Sequence, residues 1–315
     1  MNSPAPRLQR SSFIHHNLSL IIISCLALIV IILSLFYFFI SFTRPIMGLV
    51  LVLQDDRWQV ESVDPNSMSA VAGFLPGDIP IEINGQSADL FLSRYADHGK
   101  VIGTLIKEIR VEDQNGLTKQ ATVIGARPLI RTQIEVSILL VTAILFWAIG
   151  LFVFFRQPRK LAAGLLCLVG LCTGLLFSAN VAGERLIPAA PQLSVITQIL
   201  GPWLLLHFFL VLPEERGRLQ RDPRLLALYI PPLISIIAFL TIGYADGQPL
   251  PWFRQFRMIG TGLVILAVVV TAVYNFVRAA SPRTRQQMKY IAYSCVVAFV
   301  PFIVIYLIPQ ITLGQ

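Results

Sequence analysis

Charge is what this sequence has least of. Asp, Glu, Lys and Arg make up 13% of its residues, against about 25% in average soluble domains. With 55% apolar residues, that shortage excludes an ordinary soluble enzyme. Histidine and cysteine are sparse too, four of each. His15, His16, His98 and His207 do not form the His-Glu-x-x-His pair that holds catalytic zinc on a helix. Cys25, Cys167, Cys172 and Cys295 each lie inside an apolar block. That placement excludes a disulfide framework and Cys-based zinc spacing, and leaves them as small apolar packing residues. There is no Gly-x-Ser-x-Gly elbow, P-loop, kinase glycine loop or phosphoacceptor His box. The chain is expected to be no enzyme, to have no catalytic residues and to carry no cofactor or metal.

What is present is a series of apolar blocks of bilayer-spanning length, about 20 residues each. Seven can be marked: Leu18–Ile40, Ile134–Phe155, Leu161–Val181, Val195–Leu212, Leu225–Tyr244, Met258–Val277 and Tyr290–Ile308. The fold class expected is therefore a polytopic α-helical membrane protein with seven spans. Residues 1–17 precede the first span, a soluble stretch of residues 43–131 follows it, and residues 134–309 hold the other six. The first block is too long for the apolar region of a signal peptide, about 7–15 residues, and Ser41-Phe42-Thr43-Arg44 is a poor cleavage site, so it is read as an uncleaved anchor. No span shows the paired charges or broken-helix repeats of a carrier.

The net charge of +8 is not a nucleic-acid footprint, because Lys and Arg sit in short loops between apolar blocks. Those loops set orientation. With the N-terminus cytoplasmic, the inner side holds Arg7 and Arg10; Arg156, Arg159 and Lys160; Arg216, Arg218, Arg221 and Arg224; and Arg278, Arg283, Arg285 and Lys289. The short outer loops hold Arg185, Arg254 and Arg257. The soluble stretch and the segment after span seven are then expected outside the cytoplasm.

Residues 46–124 alternate strand-like and turn-like segments. Strands are expected at Ile46–Leu53, Trp58–Val63, Ile79–Ile83, Leu105–Asp113 and Thr118–Ile124. Helices are expected at Ser67–Gly73, with Ser67 as N-cap, and at Asp89–His98. Asn84-Gly85 is a hairpin signal. Pro80 removes a backbone donor and predicts an edge or irregular strand. Val63-Asp64-Pro65-Asn66-Ser67, Ala70, Ala72-Gly73, Pro76-Gly77-Asp78 and Ile83-Asn84-Gly85 together resemble the core of bacterial PDZ domains over about eighty residues. The resemblance implies an inserted PDZ-like α+β domain, a partly open β-barrel. It also implies peptide capture: an extended peptide adds a strand to a sheet edge and a glycine loop holds its carboxylate. The matching loop is Met47-Gly48-Leu49-Val50, where glycine lets backbone N–H groups turn towards an anion. The alternative is a unit that only spaces or dimerises the protein.

Polar residues at the ends of spans are costly to bury and make a second candidate site. Glu135, Asn180, Glu184 and Arg185, with Asp246, Arg254 and Arg257, would rim an outward-facing pocket; the plainer reading is interfacial anchoring and solvated loop charge. His207 reads as an interhelical hydrogen-bonder, and Gly170-Leu-Cys-Thr-Gly174 as a close-packing GxxxG.

Two further segments carry a second resemblance. Leu206-His207-Phe208-Phe209-Leu210-Val211-Leu212-Pro213 and Arg285-Gln286-Gln287-Met288-Lys289-Tyr290 are similar to motifs of ComP-like multi-span bacterial sensor histidine kinases, which carry an extracytoplasmic PDZ-like domain between their first spans. The resemblance implies a sensory module of a two-component receptor in the bacterial cell membrane. Its partners would be an extracellular peptide or protein C-terminus, membrane lipids and a second copy in a homodimer, with no nucleic acid. The kinase domains of such proteins are absent from this chain, which reaches Gln315 before them. The expectation is either the input half of a truncated or split receptor or a stand-alone derivative. A PDZ-bearing adaptor for C-termini of exported proteins is the alternative function.

Overall fold

The computed structural model describes residues 7–43, 46–65, 67–95, 100–102, 106–123, 130–183, 185, 187–212, 223–245, 248–279 and 281–301. In chain order, α1 (Arg7–Thr43) precedes a β region. That region comprises β1 (Leu49–Gln54), β2 (Arg57–Val63), α2 (Met68–Val71), β3 (Ile79–Ile83), β4 (Gln86–Ser87), α3 (Ala88–Tyr95), β5 (Lys100–Ile102), β6 (Glu108–Glu112) and β7 (Thr118–Thr122). Then come α4 (Ile130–Arg156), α5 (Leu161–Gly183), α6 (Ala190–Val211), a 3₁₀ segment (Pro223–Tyr229), α7 (Ile230–Ile242), a small hairpin of β8 (Tyr244–Ala245) and β9 (Gln248–Pro249), α8 (Pro251–Val277) and α9 (Pro282–Pro301). The chain divides into two compact units, residues 1–35, 141–179 and 192–313 in one, residues 36–140, 180–191 and 314–315 in the other.

Among the described residues, six helices are long and apolar enough to cross a membrane: Leu20–Thr43, Gln133–Arg156, Leu161–Gly183, Ala190–Val211, Leu225–Ile242 and Trp252–Val277. They make this a multi-pass membrane protein. The later part of the expected seventh span, residues 302–308, lies outside the described residues. So do Arg216, Arg218 and Arg221 of the charge count, and Pro213 of the kinase-like motif.

Burial sorts the helices of the first unit. In α5, 61% of the apolar window is buried, against 11% in Leu225–Ile242, so α5 is the central post and α7 keeps a broad apolar surface outward. Its small residues explain this. A Cβ added at Gly170 would lie 2.6 Å from the Phe146 carbonyl oxygen of α4, and one at Gly150 would lie 3.0 Å from the Cys167 Cα. Gly174 leaves the space that the Trp147 indole fills. Without a hydrophobic drive between helices in lipid, such close backbone approach is what holds them.

The β region folds from local signals. Asp55 (φ 51°) and Asp56 (φ 64°) make the two-residue turn joining β1 to β2, and Asn84 (φ 52°) with Gly85 (φ 77°) joins β3 to β4. Both are left-handed pairs that match strand twist. Ser67 caps α2, its hydroxyl accepting from the Ala70 amide at 3.1 Å. Alternation buries Leu49 and Leu51 of β1 and Ile109 and Val111 of β6. These join Met47, Val60, Phe74, Ile83, Phe91, Leu92 and Val101 in one apolar core.

The strands do not show the expected partly open barrel. The strands form two separate antiparallel sheets, β2-β1-β5 and β4-β3-β6-β7, and no barrel is found among the described residues. The seam between them is two isolated backbone bonds, Val60 N–H to Asp78 and Gly77 N–H to Val60, each 2.9 Å. A ladder cannot run through the turn at Pro76-Gly77-Asp78, and β3 is irregular beyond it. Its register with β6 slips between Pro80 and Glu82, the disturbance that a donorless proline causes.

Candidate functional site

The loop Met47-Gly48-Leu49-Val50 leads into β1. Gly48 has φ 70°, a left-handed conformation that glycine adopts without a Cβ penalty. The loop is braced from behind. The Ser69 hydroxyl, itself fully buried, donates to the Met47 carbonyl at 2.8 Å, and the Asp64 amide donates to the Gly48 carbonyl at 2.8 Å. Met47 and Leu49 point into the core, while Val50 is half-buried. The Met47 and Leu49 side chains therefore anchor the loop to the core.

Beyond the loop, both edges of β1 are taken. On one side β2 pairs from Leu49↔Val63 to Gln54↔Arg57. On the other, β5 pairs antiparallel as Val50↔Ile102, Leu51↔Val101 and Val52↔Lys100. The sequence predicts no element between His98 and Leu105, so β5 is new information.

Asp78, of the Gly-Asp pair, is a structural residue. It is 2% exposed, accepts from the Leu75 amide at 3.0 Å and meets the Lys119 ammonium at 3.2 Å. Lys119 also reaches Asp113 at 3.6 Å. The Leu117 backbone N–H, then that of Asn115 and the Lys119 charge, hold the Asp113 carboxyl below its ordinary value, with desolvation opposing in part.

The span-end residues scatter in role. Glu135 is exposed on α4 and Asn180 is exposed near the end of α5; Glu184 and Asp246 lie outside the described residues. Arg185 is 5% exposed, and its guanidinium donates to the Ser41 carbonyl in the last turn of α1. The Tyr37 hydroxyl donates to the Pro188 carbonyl at 3.4 Å. A cation on the carbonyl end of a helix is favoured by the helix dipole, so Arg185 is held at the end of α1. Arg254 and Arg257 are half-buried, with Arg257 donating to the Gln198 side-chain oxygen.

At the C-terminal end of α6 lie two polar contacts that link it to its neighbours. His207 Nδ1 is 2.8 Å from the Tyr229 hydroxyl, an interhelical bond to the 3₁₀ segment before α7. Asn275 of α8, 1% exposed, donates to the carbonyls of Phe209 and Leu212. The sequence offered a signal for Asn275, an amide alone in an apolar block, that the reading of span ends passed over. Tyr229 and Ser69 carry no such signal.

Among the described residues, no group of three His, Cys, Asp or Glu side chains could hold a metal ion. Comparison with protein-family models, with curated proteins and with solved structures finds no match to this chain.

Proposed function

We propose that this chain is the membrane sensory module of a two-component signalling receptor. It is non-catalytic itself and is driven by an extracellular peptide-like ligand. In this reading the β region is a PDZ-like unit held outside the cytoplasm between the first and second spans of a bacterial inner-membrane protein, and the protein works as a homodimer. The observation that carries it is the loop at Gly48: a positive-φ glycine, braced by Ser69 and Asp64, opening directly into a strand. A rigid glycine loop feeding a strand is the arrangement that peptide capture by strand addition uses.

Transmission needs an element with two arrangements of different ligand affinity. The end of α6, joined by one hydrogen bond to Tyr229 and by two from Asn275, is suited to that role, because exchanging a few hydrogen bonds repacks it. Glu135 and Asn180 are both exposed, whereas Arg185 is buried against the α1 end.

The test uses the full chain in nanodiscs with spin labels at the C-terminal ends of α6 and α8. Peptides bearing a free C-terminal carboxylate are expected to bind and to shift the inter-label distance distribution. Binding without any shift would favour the adaptor for exported C-termini, and no binding would sink the peptide reading.

A further inference from the structure

The edge of β1 that a captured peptide would use is already filled by the chain's own β5. Three features make β5 look like a ligand rather than an ordinary sheet strand. It lies on the side of β1 opposite β2, in antiparallel register. Its direction is that of a captured C-terminus, with Ile102 opposite Val50, at the end of β1 nearest the Gly48 loop. It also delivers one apolar side chain inward: Val101, 3% exposed, joins Leu49, Leu51, Phe91 and Leu92 in the core.

It nonetheless lacks what a free C-terminus would bring. The ladder of β1 with β2 extends through Leu53 and Gln54, whereas among the described residues β5 pairs with β1 from Val50 to Val52. Leu53 is left 43% exposed. The chain continues past Ile102 as a peptide bond, so β5 brings no carboxylate to the loop. A free peptide can bring both, a longer ladder and a terminal anion for backbone N–H groups.

We propose that β5 is a built-in surrogate ligand, and that the true partner is an extended peptide with a free C-terminal carboxylate that displaces it. The partner places a β-branched apolar residue where Val101 sits, one position before its own C-terminus. This rests on the peptide-capture reading above and adds to it the register, the side-chain preference and a competition that sets the threshold. The apparent affinity is the intrinsic affinity scaled by the fraction of molecules with β5 released.

The probe is a fluorescein-labelled peptide copying Asp97–Ile102, Asp-His-Gly-Lys-Val-Ile with a free carboxylate, alongside its C-terminal amide. The protein is the full chain in nanodiscs, carrying Val50→Cys with Ile102→Cys, positions opposite one another in the ladder and so within reach of a disulfide. Oxidation is expected to close an intramolecular bond and weaken probe binding by at least about tenfold, with reductant restoring it. Val101→Ser, which loosens β5, is expected to tighten binding by about the same factor, and the amide to bind more weakly than the acid. If the bond closes and oxidised and reduced protein bind the probe equally, the proposal is overturned while peptide capture stands at another surface. A bond formed between two copies overturns it in favour of a strand exchanged within a dimer. No binding by any form overturns both readings, and the Cys pair keeps the test informative should Val101→Ser fail to fold.

Discussion

Asn275 in α8 donates its side-chain amide to the Phe209 carbonyl of α6 at 2.7 Å, and the same nitrogen reaches the Leu212 carbonyl at 2.7 Å. The last carbonyls of a helix have no donor within it, so α8 supplies the cap that α6 lacks. Interhelical bonds in a membrane are worth roughly 0.6 kcal/mol each on average, and at most about 1.7. Asn275→Leu is therefore expected to cost about 1–2 kcal/mol. Thermal unfolding in detergent followed by Trp fluorescence measures it, and an unchanged midpoint would mean the cap carries no weight.

The contact of α4 with α5 allows no added atom at Gly170, where a Cβ would stand 2.6 Å from the Phe146 carbonyl oxygen. Backbone cannot yield as a flexible side chain can. Gly170→Val is expected to destabilise the protein by about 1–3 kcal/mol through overpacking. Gly260, whose Cβ would meet nothing within 4 Å, is the control: Gly260→Ala should leave the unfolding midpoint in place or raise it. Equal losses from both would show that the close approach is not what matters.

Arg185 caps the end of α1 through the Ser41 carbonyl. Arg185→Met retains the apolar stem and removes the cation. Hydrogen exchange of the amides of residues 40–43 is expected to accelerate by about tenfold, a loss near 1.4 kcal/mol and within the range for a partly buried charge at a helix C-terminus. Unaltered protection would assign the tie to Tyr37 and Pro188 alone.

Asp113 gives the β6–β7 turn a pH dependence of definite sign. Its folded carboxyl titrates below the ordinary value of 3.8, because backbone donors and Lys119 favour the ionised form. Stabilisation is thus present above that value and is lost as the pH falls through the lower folded one. Exchange protection of the Leu117 amide, corrected for intrinsic rate, is expected to hold from neutral pH downward and to fail only in that acid window. Asp113→Asn should flatten the dependence; a variant that still lost protection at the same pH would point to a different carboxylate.

Legibility followed the range of the interactions. The apolar blocks announce the membrane helices because length and composition alone decide them. Asn84-Gly85 and Ser67 announce a turn and a cap because each acts on residues within three positions of itself. β5 is silent for the opposite reason. Its three residues, Lys100, Val101 and Ile102, show no period to read, and they become a strand only because β1, some fifty residues earlier, offers an edge. The two-sheet arrangement was equally hidden, since the resemblance implied a partly open barrel and the break depends on how Val60 and Asp78 meet. Arg185 reads in sequence as an outer-loop charge; its burial depends on a carbonyl 144 residues away.

Pro80 bears on how the β region meets other strands. Among the described residues β4 pairs with β3 at Glu82 and Ile83 alone, so on that side the exposed Ile79 and the buried Pro80 have no ladder partner. An uncovered strand border invites a foreign strand to zip onto it, copy after copy. Here the invitation is refused at its first rung, because proline has no hydrogen to offer and the slip beside it throws the following rung out of step. That border of the β region is thereby kept from polymerising.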